Sequence, residues 1–376
     1  MIFRLFLGSL RSKEGQSQPM NLLLRPSLAP AQFERVLGEV RALSLTWGGE
    51  VVGTPDYRNR SMQLSFKQGV IKKDLRQGLL SIEGVEAFQA TKEPLFHVGD
   101  PYRGALTVQV EDAIFGGGFA SAIAGPCSVE DHETLLTLAK GLKQAGATAL
   151  RGGAFKPRTS PYAFQGLGRP GLEILSDVAR QTGLAVVTEA LDPKDLDAVC
   201  EHAHILQIGS RNMMNYALLK EVGQMQRPVL LKRGMSATLS EFLNAAEYLA
   251  DAGSEQILLC ERGLRHFDPA VRNLLDLSAI PLLKARTHLP ILVDPSHGTG
   301  VASVVPAMMH AAAAAGADGF LVEVHLYPEQ SISDAGQALS LDTFAQTLST
   351  TALVLEACGR RLSRPNVSSS SNLSVL

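Results

Sequence analysis

The chain has 376 residues, 45% of them apolar and 19% charged, and a net charge of −2. That length exceeds one average domain, although a single barrel can use about 250 residues, and the composition allows a large core. The near-neutral charge excludes a general attraction to nucleic acid or membrane, and no transmembrane span is present. Four cysteines, Cys127, Cys200, Cys260 and Cys358, stand far apart with no CxxC pair. This argues against a disulfide framework and for a reducing, cytoplasmic compartment.

The apolar patch at residues 2–10 is interrupted by Arg4 and has no small-residue cleavage site after it. It therefore does not read as a secretory signal, and residues 1–19 are expected to be a flexible extension. Residues 20–93 have the order β-α-β-β-α-β, with strands near 21–25, 50–53, 61–66 and 85–89 and helices over 30–43 and 72–82. Phe33, Val36, Leu37, Val40 and Leu43 recur at helical spacing, and Leu75, Leu79 and Leu80 are expected on one side of the second helix. This order is that of a ferredoxin-like unit. It carries no catalytic pattern, so its expected role is regulatory or structural. Residues 94–105, with Pro94, Gly99, Pro101 and Gly104, read as a linker. A hairpin is expected at 106–110 and from Ile114 onward, with glycines 116–118 near its turn.

From Ala122 the pattern becomes a regular alternation. Short apolar runs recur at 122–125, 147–151, 185–189, 205–208, 229–232, 257–260, 291–294 and 320–323. Helix-like stretches separate them; Leu135, Leu138, Ala139 and Leu142 fall on one face, as do Phe242, Ala246 and Leu249. Such repeated β-then-α units imply a parallel sheet, and their number closes a (β/α)8 TIM barrel, here over residues 106–359. An open doubly wound sheet would place a glycine fingerprint on the first turn, where this chain has Pro126-Cys127-Ser128. Alanines 311–315 read as a closely packed helix, and residues 360–376, with the polar run at 366–372, as a disordered tail.

In a barrel, chemistry sits at the carboxyl ends of the strands. Every such end here carries a polar or ionisable residue; the third has Glu189, and the others fall into two sets. The first is cationic: Arg151, Lys156, Arg158, Arg211, Lys232 and Arg262. Half of it lies in residues 150–168, a loop that also holds Gly152, Gly153, Thr159 and Ser160 and no acid. A single surface cation is usually a solvated charge or a weak ion pair. Converging at one mouth, the set calls for a highly charged anionic ligand, such as two phosphorylated molecules. The second set is Cys127, His297, Glu323 and Asp334. A lone cysteine is more often a buried apolar residue and a lone histidine a satisfied core residue. On neighbouring strands of a closed barrel, these four can bind one divalent ion. Mixed S, N and O donors favour manganese, iron, cobalt or zinc over calcium and magnesium. His325 is expected to support the metal from behind, and Cys200, Cys260 and Cys358 are expected in the core.

The segments AGPCSVE (124–130), LRGGAFKPRTSPY (150–162), TEALD (188–192), QIGSRN (207–212), LLKRG (230–234), LCERG (259–263), VDPSHG (293–298) and VEVH (322–325) together resemble 3-deoxy-D-arabino-heptulosonate 7-phosphate (DAHP) synthase. The small first unit resembles the regulated type Iβ branch of that family. The resemblance implies condensation of phosphoenolpyruvate with erythrose 4-phosphate, the entry to the shikimate pathway of aromatic amino acid biosynthesis. It implies one divalent transition metal, with manganese first, held by Cys127, His297, Glu323 and Asp334. Phosphoenolpyruvate would lie against Arg151, Lys156, Arg211, Lys232 and Arg262. The sugar phosphate would lie against Arg158, Thr159 and Ser160, with Asp294 near its hydroxyls. Lys156, Glu189 and His297 are the expected catalytic groups, Lys156 as proton donor and Glu189 orienting the water. The resemblance also implies a homo-oligomer, tetramer or dimer, with tyrosine or phenylalanine as effector of the N-terminal unit. Two alternatives stay open: an octulosonate 8-phosphate synthase using arabinose 5-phosphate, and a non-catalytic ligand-sensing barrel. The Lys-Pro-Arg-Thr-Ser run at 156–160 points to the four-carbon sugar.

Overall fold

The computed structural model describes residues 20–25, 28–46, 49–51, 61–66, 73–90, 95, 97–99, 105–156, 160 and 162–366. The expected extension at 1–19 and most of the expected linker lie outside these residues. The chain divides into two compact units, Met1–Arg103 and Gly104–Leu376. Among the described residues, no helix is long and apolar enough to cross a membrane.

The first unit runs β1 (Met20–Leu24), α1 (Pro30–Thr46), β2 (Gly49–Val51), β3 (Ser61–Phe66), α2 (Lys73–Leu80) and β4 (Val85–Ala90). Its sheet order is β2-β3-β1-β4 with antiparallel pairing, the arrangement of a ferredoxin-like split unit. Leu22, Phe33, Val36, Leu37, Val40 and Leu79 form its buried core. Leu80 does not share the face of Leu79. One residue further is about 100° around a helix, and Leu80 is 40% exposed while Leu79 is fully buried.

The second unit opens with a hairpin, β5 (Val108–Val110) and β6 (Ala113–Phe115). Its turn is Glu111-Asp112, not the glycines at 116–118, which make the next turn into the barrel. The barrel then follows as β7 (Phe119–Gly125), α3 (His132–Ala145), β8 (Ala149–Arg151), α4 (Arg169–Thr182), β9 (Ala185–Glu189), α5 (Leu196–His202) and β10 (Ile205–Ile208). It continues as α6 (Tyr216–Gln224), β11 (Val229–Lys232), α7 (Leu239–Asp251), β12 (Ile257–Glu261) and α8 (Ala279–Lys284). The last elements are β13 (Ile291–Val293), α9 (Pro295–Thr299), α10 (Val305–Ala315), β14 (Gly319–Glu323), α11 (Leu341–Ala357) and β15 (Arg361–Leu362). Strands β7 to β14 pair in parallel in chain order, and β14 returns to β7 from Gly319↔Ser121 to Glu323↔Gly125, closing a (β/α)8 barrel. Helix entries are fixed locally: the Asp131 side chain accepts from Thr134 N, and Thr238 and Glu241 form a capping box.

Inward side chains fill the barrel rather than leaving a pore. Ile123, Ala149, Val187, Ile205, Leu230, Leu258, Leu292 and Leu321 form one cluster with Val108, Ala113 and Phe115 of the hairpin. The hairpin therefore plugs one end of the barrel, and each large side chain so buried contributes roughly 1.5–3 kcal/mol. The chain expected to be disordered from Arg360 is ordered through Asn366. Arg361 and Leu362 pair with β7, the Ser363 hydroxyl donates to Asp112 O, and Arg360 reaches Asp318. Residues 367–376 lie outside the described set. Cys260 is buried as expected, but Cys200 is half-buried and Cys358, just past α11, is exposed.

Asp318 ties this closure together. It accepts from Ile291 N at 2.8 Å and pairs with Lys284 at 2.7 Å and Arg360 at 2.7 Å. Asp318→Ala should lower unfolding free energy by about 3 kcal/mol, the low end for breaking a buried pair because Lys284 is partly exposed. Chemical denaturation checks this, and an unchanged midpoint would contradict it.

Candidate active site

The ends of β7 and β8 approach so closely that a Cβ on Gly125 would lie 2.2 Å from Arg151 O. Only glycine fits there, and its φ of 150° also lies outside the range that other residues favour. The chain beyond β7 then zips onto the chain beyond β8: Gly153 N donates to Cys127 O, and Val129 N to Gly153 O. This lays Cys127 beside Lys156, whose Nζ donates to Cys127 O at 2.8 Å and Sγ at 3.0 Å.

Asp334, in the loop after β14, approaches from the other side. The Cys127 thiol donates to its Oδ2 at 3.2 Å. Cys127, Glu323 and Asp334 each offer one donor atom, and these lie within 4.8 Å of one another. His297 joins through Glu323, with Nε2 3.2 Å from Oε1. Its other nitrogen, Nδ1, lies 2.8 Å from Asp294 Oδ2. Asp294 is ionised and can only accept, so Nδ1 carries the proton and Nε2 turns its lone pair toward the cluster. Burial holds the His297 pKa below its usual value, keeping the ring neutral. Burial, then Glu323, pushes the Cys127 thiol up to about 11. Glu323 is fully buried, yet its Oε1 accepts no hydrogen bond among the described residues; it has only the ion-pair contacts to Arg151 and His297. The thiol of Cys127, the neutral imidazole of His297 and the carboxylates of Glu323 and Asp334 together fit a divalent transition metal.

Beside this cluster is a cavity of about 210 Å³. Arg151, Lys156, Arg211, Lys232, Arg262 and Arg272 line it, against the acids Glu189 and Asp334. Lys232 is paired with Asp294. Arg262 is only 5% exposed, donates to Gly263 O, and has no carboxylate partner among the described residues; burial lowers its pKa. Glu189 projects from the end of β9, held by Gln207 at 3.3 Å. A Cβ on Gly209 would meet Glu189 Oε1 at 2.0 Å, so the glycine makes room for it. Burial raises the Glu189 carboxyl above its usual value, despite the nearby Lys156, Lys232, Arg151 and Arg211.

Most of the residues singled out in the sequence meet at this one mouth. Arg158 and Thr159 lie outside the described residues. Ser160 is exposed, its hydroxyl accepts from Tyr162 N, and it does not line the cavity. Asp294 is fully buried behind His297 and Lys232, where it orients both rather than facing a ligand. His325 does not back the metal donors. Its Nδ1 lies against the Tyr327 backbone and its Nε2 3.4 Å from Glu130, which itself accepts from Ile332 N. Glu261 points away from the mouth to Arg233, which also holds Asp276. Sequence reasoning missed Arg233, Arg272 and Gln337. Arg233 directly follows the end of β11, whereas Arg272 lies in the long loop between β12 and α8, and nothing in the sequence marked it or Gln337.

Asp294 is held well below the usual carboxylate range; burial opposes this, but His297 and Lys232 outweigh it. Its folded value lies below its unfolded value of about 4. The pairing therefore stabilises the fold above about pH 4 and is lost as pH falls further. Asp294→Asn should be less stable at neutral pH and show a flatter loss of stability below about pH 4. Acid-unfolding profiles that coincide would contradict this.

The DAHP synthetase I family profile matches residues 104–356. A Thermotoga maritima protein named phospho-2-dehydro-3-deoxyheptonate aldolase is 46% identical over 280 residues, covering 74% of this chain and 83% of that protein. A Syntrophotalea carbinolica protein named 2-dehydro-3-deoxyphosphooctonate aldolase is 32% identical over 262 residues, 64% of this chain and 93% of its own. Among solved structures, the T. maritima phospho-2-dehydro-3-deoxyheptonate aldolase (DAHP synthase) superposes with a TM-score of 0.72 at 39% identity, covering 92% of this chain and 99% of that one. With the barrel and the residues at its mouth, these likenesses establish that the chain belongs to the DAHP synthetase I family.

Proposed function

We propose that the chain condenses phosphoenolpyruvate with erythrose 4-phosphate and water, giving 3-deoxy-D-arabino-heptulosonate 7-phosphate and phosphate. The observation that carries this reading is the cavity itself: six cations, one of them the buried and carboxylate-free Arg262, beside a donor cluster built for a metal. Buried cations without acid partners need an anionic ligand. Phosphoenolpyruvate brings a carboxylate and a phosphate, and the sugar brings a second phosphate.

In this reading, Arg151, Lys156, Arg211, Lys232 and Arg262 hold the enolpyruvate, and Arg158, Thr159 and Ser160 the sugar phosphate. Cys127, His297, Glu323 and Asp334 hold a divalent metal, manganese first and iron, cobalt or zinc next; when bound it supplies Lewis acidity toward the aldehyde oxygen. C3 of phosphoenolpyruvate attacks the aldehyde carbon, and positive charge grows on C2. The fixed cations hold the carboxylate and phosphate without reorganising as this happens. Lys156 gives a proton to the former aldehyde oxygen. Glu189, its carboxyl raised by burial, orients the water that adds to C2 and takes the proton this water releases. Phosphate then leaves with cleavage of its C–O bond.

A second reading, condensation with arabinose 5-phosphate, draws on the relatives named 2-dehydro-3-deoxyphosphooctonate aldolase at 32% identity or less. The 46% identity to the heptonate aldolase and the 156–160 run favour the four-carbon sugar. In this reading the first unit, a ferredoxin-like βαββαβ unit, modulates the barrel.

Loss of phosphoenolpyruvate should be seen with erythrose 4-phosphate and manganese, stop with chelator, and fail with arabinose 5-phosphate. Tyrosine or phenylalanine in the same assay should slow the full chain. Turnover of the five-carbon sugar alone would favour the second reading, and no consumption at all would favour a ligand sensor. Lys156→Met and Glu189→Gln should each lower turnover by roughly 10²–10⁴-fold; full turnover in either would remove that residue's role.

A further inference from the structure

Gln337 lies in the short turn Ala335–Gln337, close after Asp334, and is 2% exposed. Its Nε2 donates to Glu323 Oε2 at 2.7 Å, and its Oε1 accepts from Arg272 Nη1 at 3.0 Å. The amide has no choice of orientation, because a guanidinium only donates and a carboxylate only accepts. The same Arg272 nitrogen lies 3.5 Å from Asp334 Oδ1. Gln337 thus stands between the two carboxylates and is wired to both, directly to Glu323 and through Arg272 to Asp334.

We propose that Gln337 is a positioning residue: by holding Oε2 of Glu323 it leaves the other oxygen, Oε1, facing the donor cluster. This rests on reading that cluster as a metal site. The two oxygens of Glu323 are treated differently throughout. Oε2 has the Gln337 hydrogen bond, while Oε1 accepts none. The backbone makes the arrangement rigid. Leu339 N donates to Glu323 O at 2.9 Å, and His325 N to Leu339 O at 3.0 Å. The segment carrying Gln337 is therefore stitched alongside the strand end that carries Glu323. Without the amide donor, Oε2 would be a buried acceptor with no partner, and the carboxylate could turn to satisfy it with Arg151 or His297. That turn would carry Oε1 away from its place between Arg151 and His297 and out of the donor group. Partners that orient metal ligands in this way are worth about 10–100-fold in metal affinity.

The test is cobalt binding to the metal-stripped full chain, followed by the thiolate-to-cobalt charge-transfer band. Gln337→Met keeps the volume and loses both hydrogen bonds. Gln337→Glu keeps an acceptor for Arg272 and replaces only the donor facing Glu323, so it remains informative should the methionine variant fail to fold. Both should bind cobalt about 10–100-fold more weakly than the parent while the fold, followed by circular dichroism, is retained. A folded variant that binds cobalt as tightly as the parent overturns the positioning role. A parent chain that shows no thiolate band overturns the metal reading itself, and the inference with it.

Discussion

A run of buried polar contacts crosses the mouth of the barrel: Lys232 pairs with Asp294, the neutral His297 bridges Asp294 and Glu323, and Glu323 pairs with Arg151. Taking an ion out of water costs several kcal/mol even after relaxation, and only well-placed partners offset it. Here the partners come from four strand ends: Lys232 from β11, Asp294 and His297 from the turn after β13, Glu323 from β14 and Arg151 from β8. Partners on β14 and β8 flank β7 only because β14 closes onto β7. The closure of the sheet is thus what makes these charges tolerable, and the chain of charges fixes the directions of the side chains that do chemistry.

Two consequences follow from its ends. At Glu323, Oε1 accepts no hydrogen bond among the described residues, and Glu323 shares a donor group with Cys127 and Asp334, which is what the proposed metal site rests on. Away from it, cations outnumber acids around the cavity, and Arg262 is buried without a carboxylate partner among the described residues. That surplus keeps a place for anions. A metal on this donor group and anions on those cations would share one wall, which suits the proposed joining of a phosphorylated enol to a phosphorylated aldehyde. Lys156 touches both, with its ammonium on the Cys127 sulfur and its side chain lining the cavity.

Much of this was legible in the sequence because the barrel repeats. Apolar runs of a few residues ending in Arg151, Glu189, Lys232 and Glu323 mark strand ends, and strand ends mark the mouth. What could not be read were contacts set by packing rather than by period. Asp294 looked like a ligand-facing acid, but it caps the turn into α9 and turns inward. His325 shares a strand direction with Glu323, yet the chain has left β14 by then and its ring is taken by Glu130. Gln337 carries no charge and no motif; only the return of the chain past Glu323 gives it a partner. The order at 360–366 was hidden for a similar reason, since its anchor is Asp318, far away in sequence.

The central claim is that the mouth holds a metal on Cys127, His297, Glu323 and Asp334 with the cationic cavity directly beside it. Anomalous diffraction from crystals of the full chain grown with manganese and phosphoenolpyruvate tests it most directly. The account predicts one manganese peak among those four side chains, with the enolpyruvate phosphate and carboxylate against Arg151, Lys232 and Arg262. A manganese peak elsewhere, or phosphoenolpyruvate bound away from those cations, would contradict it.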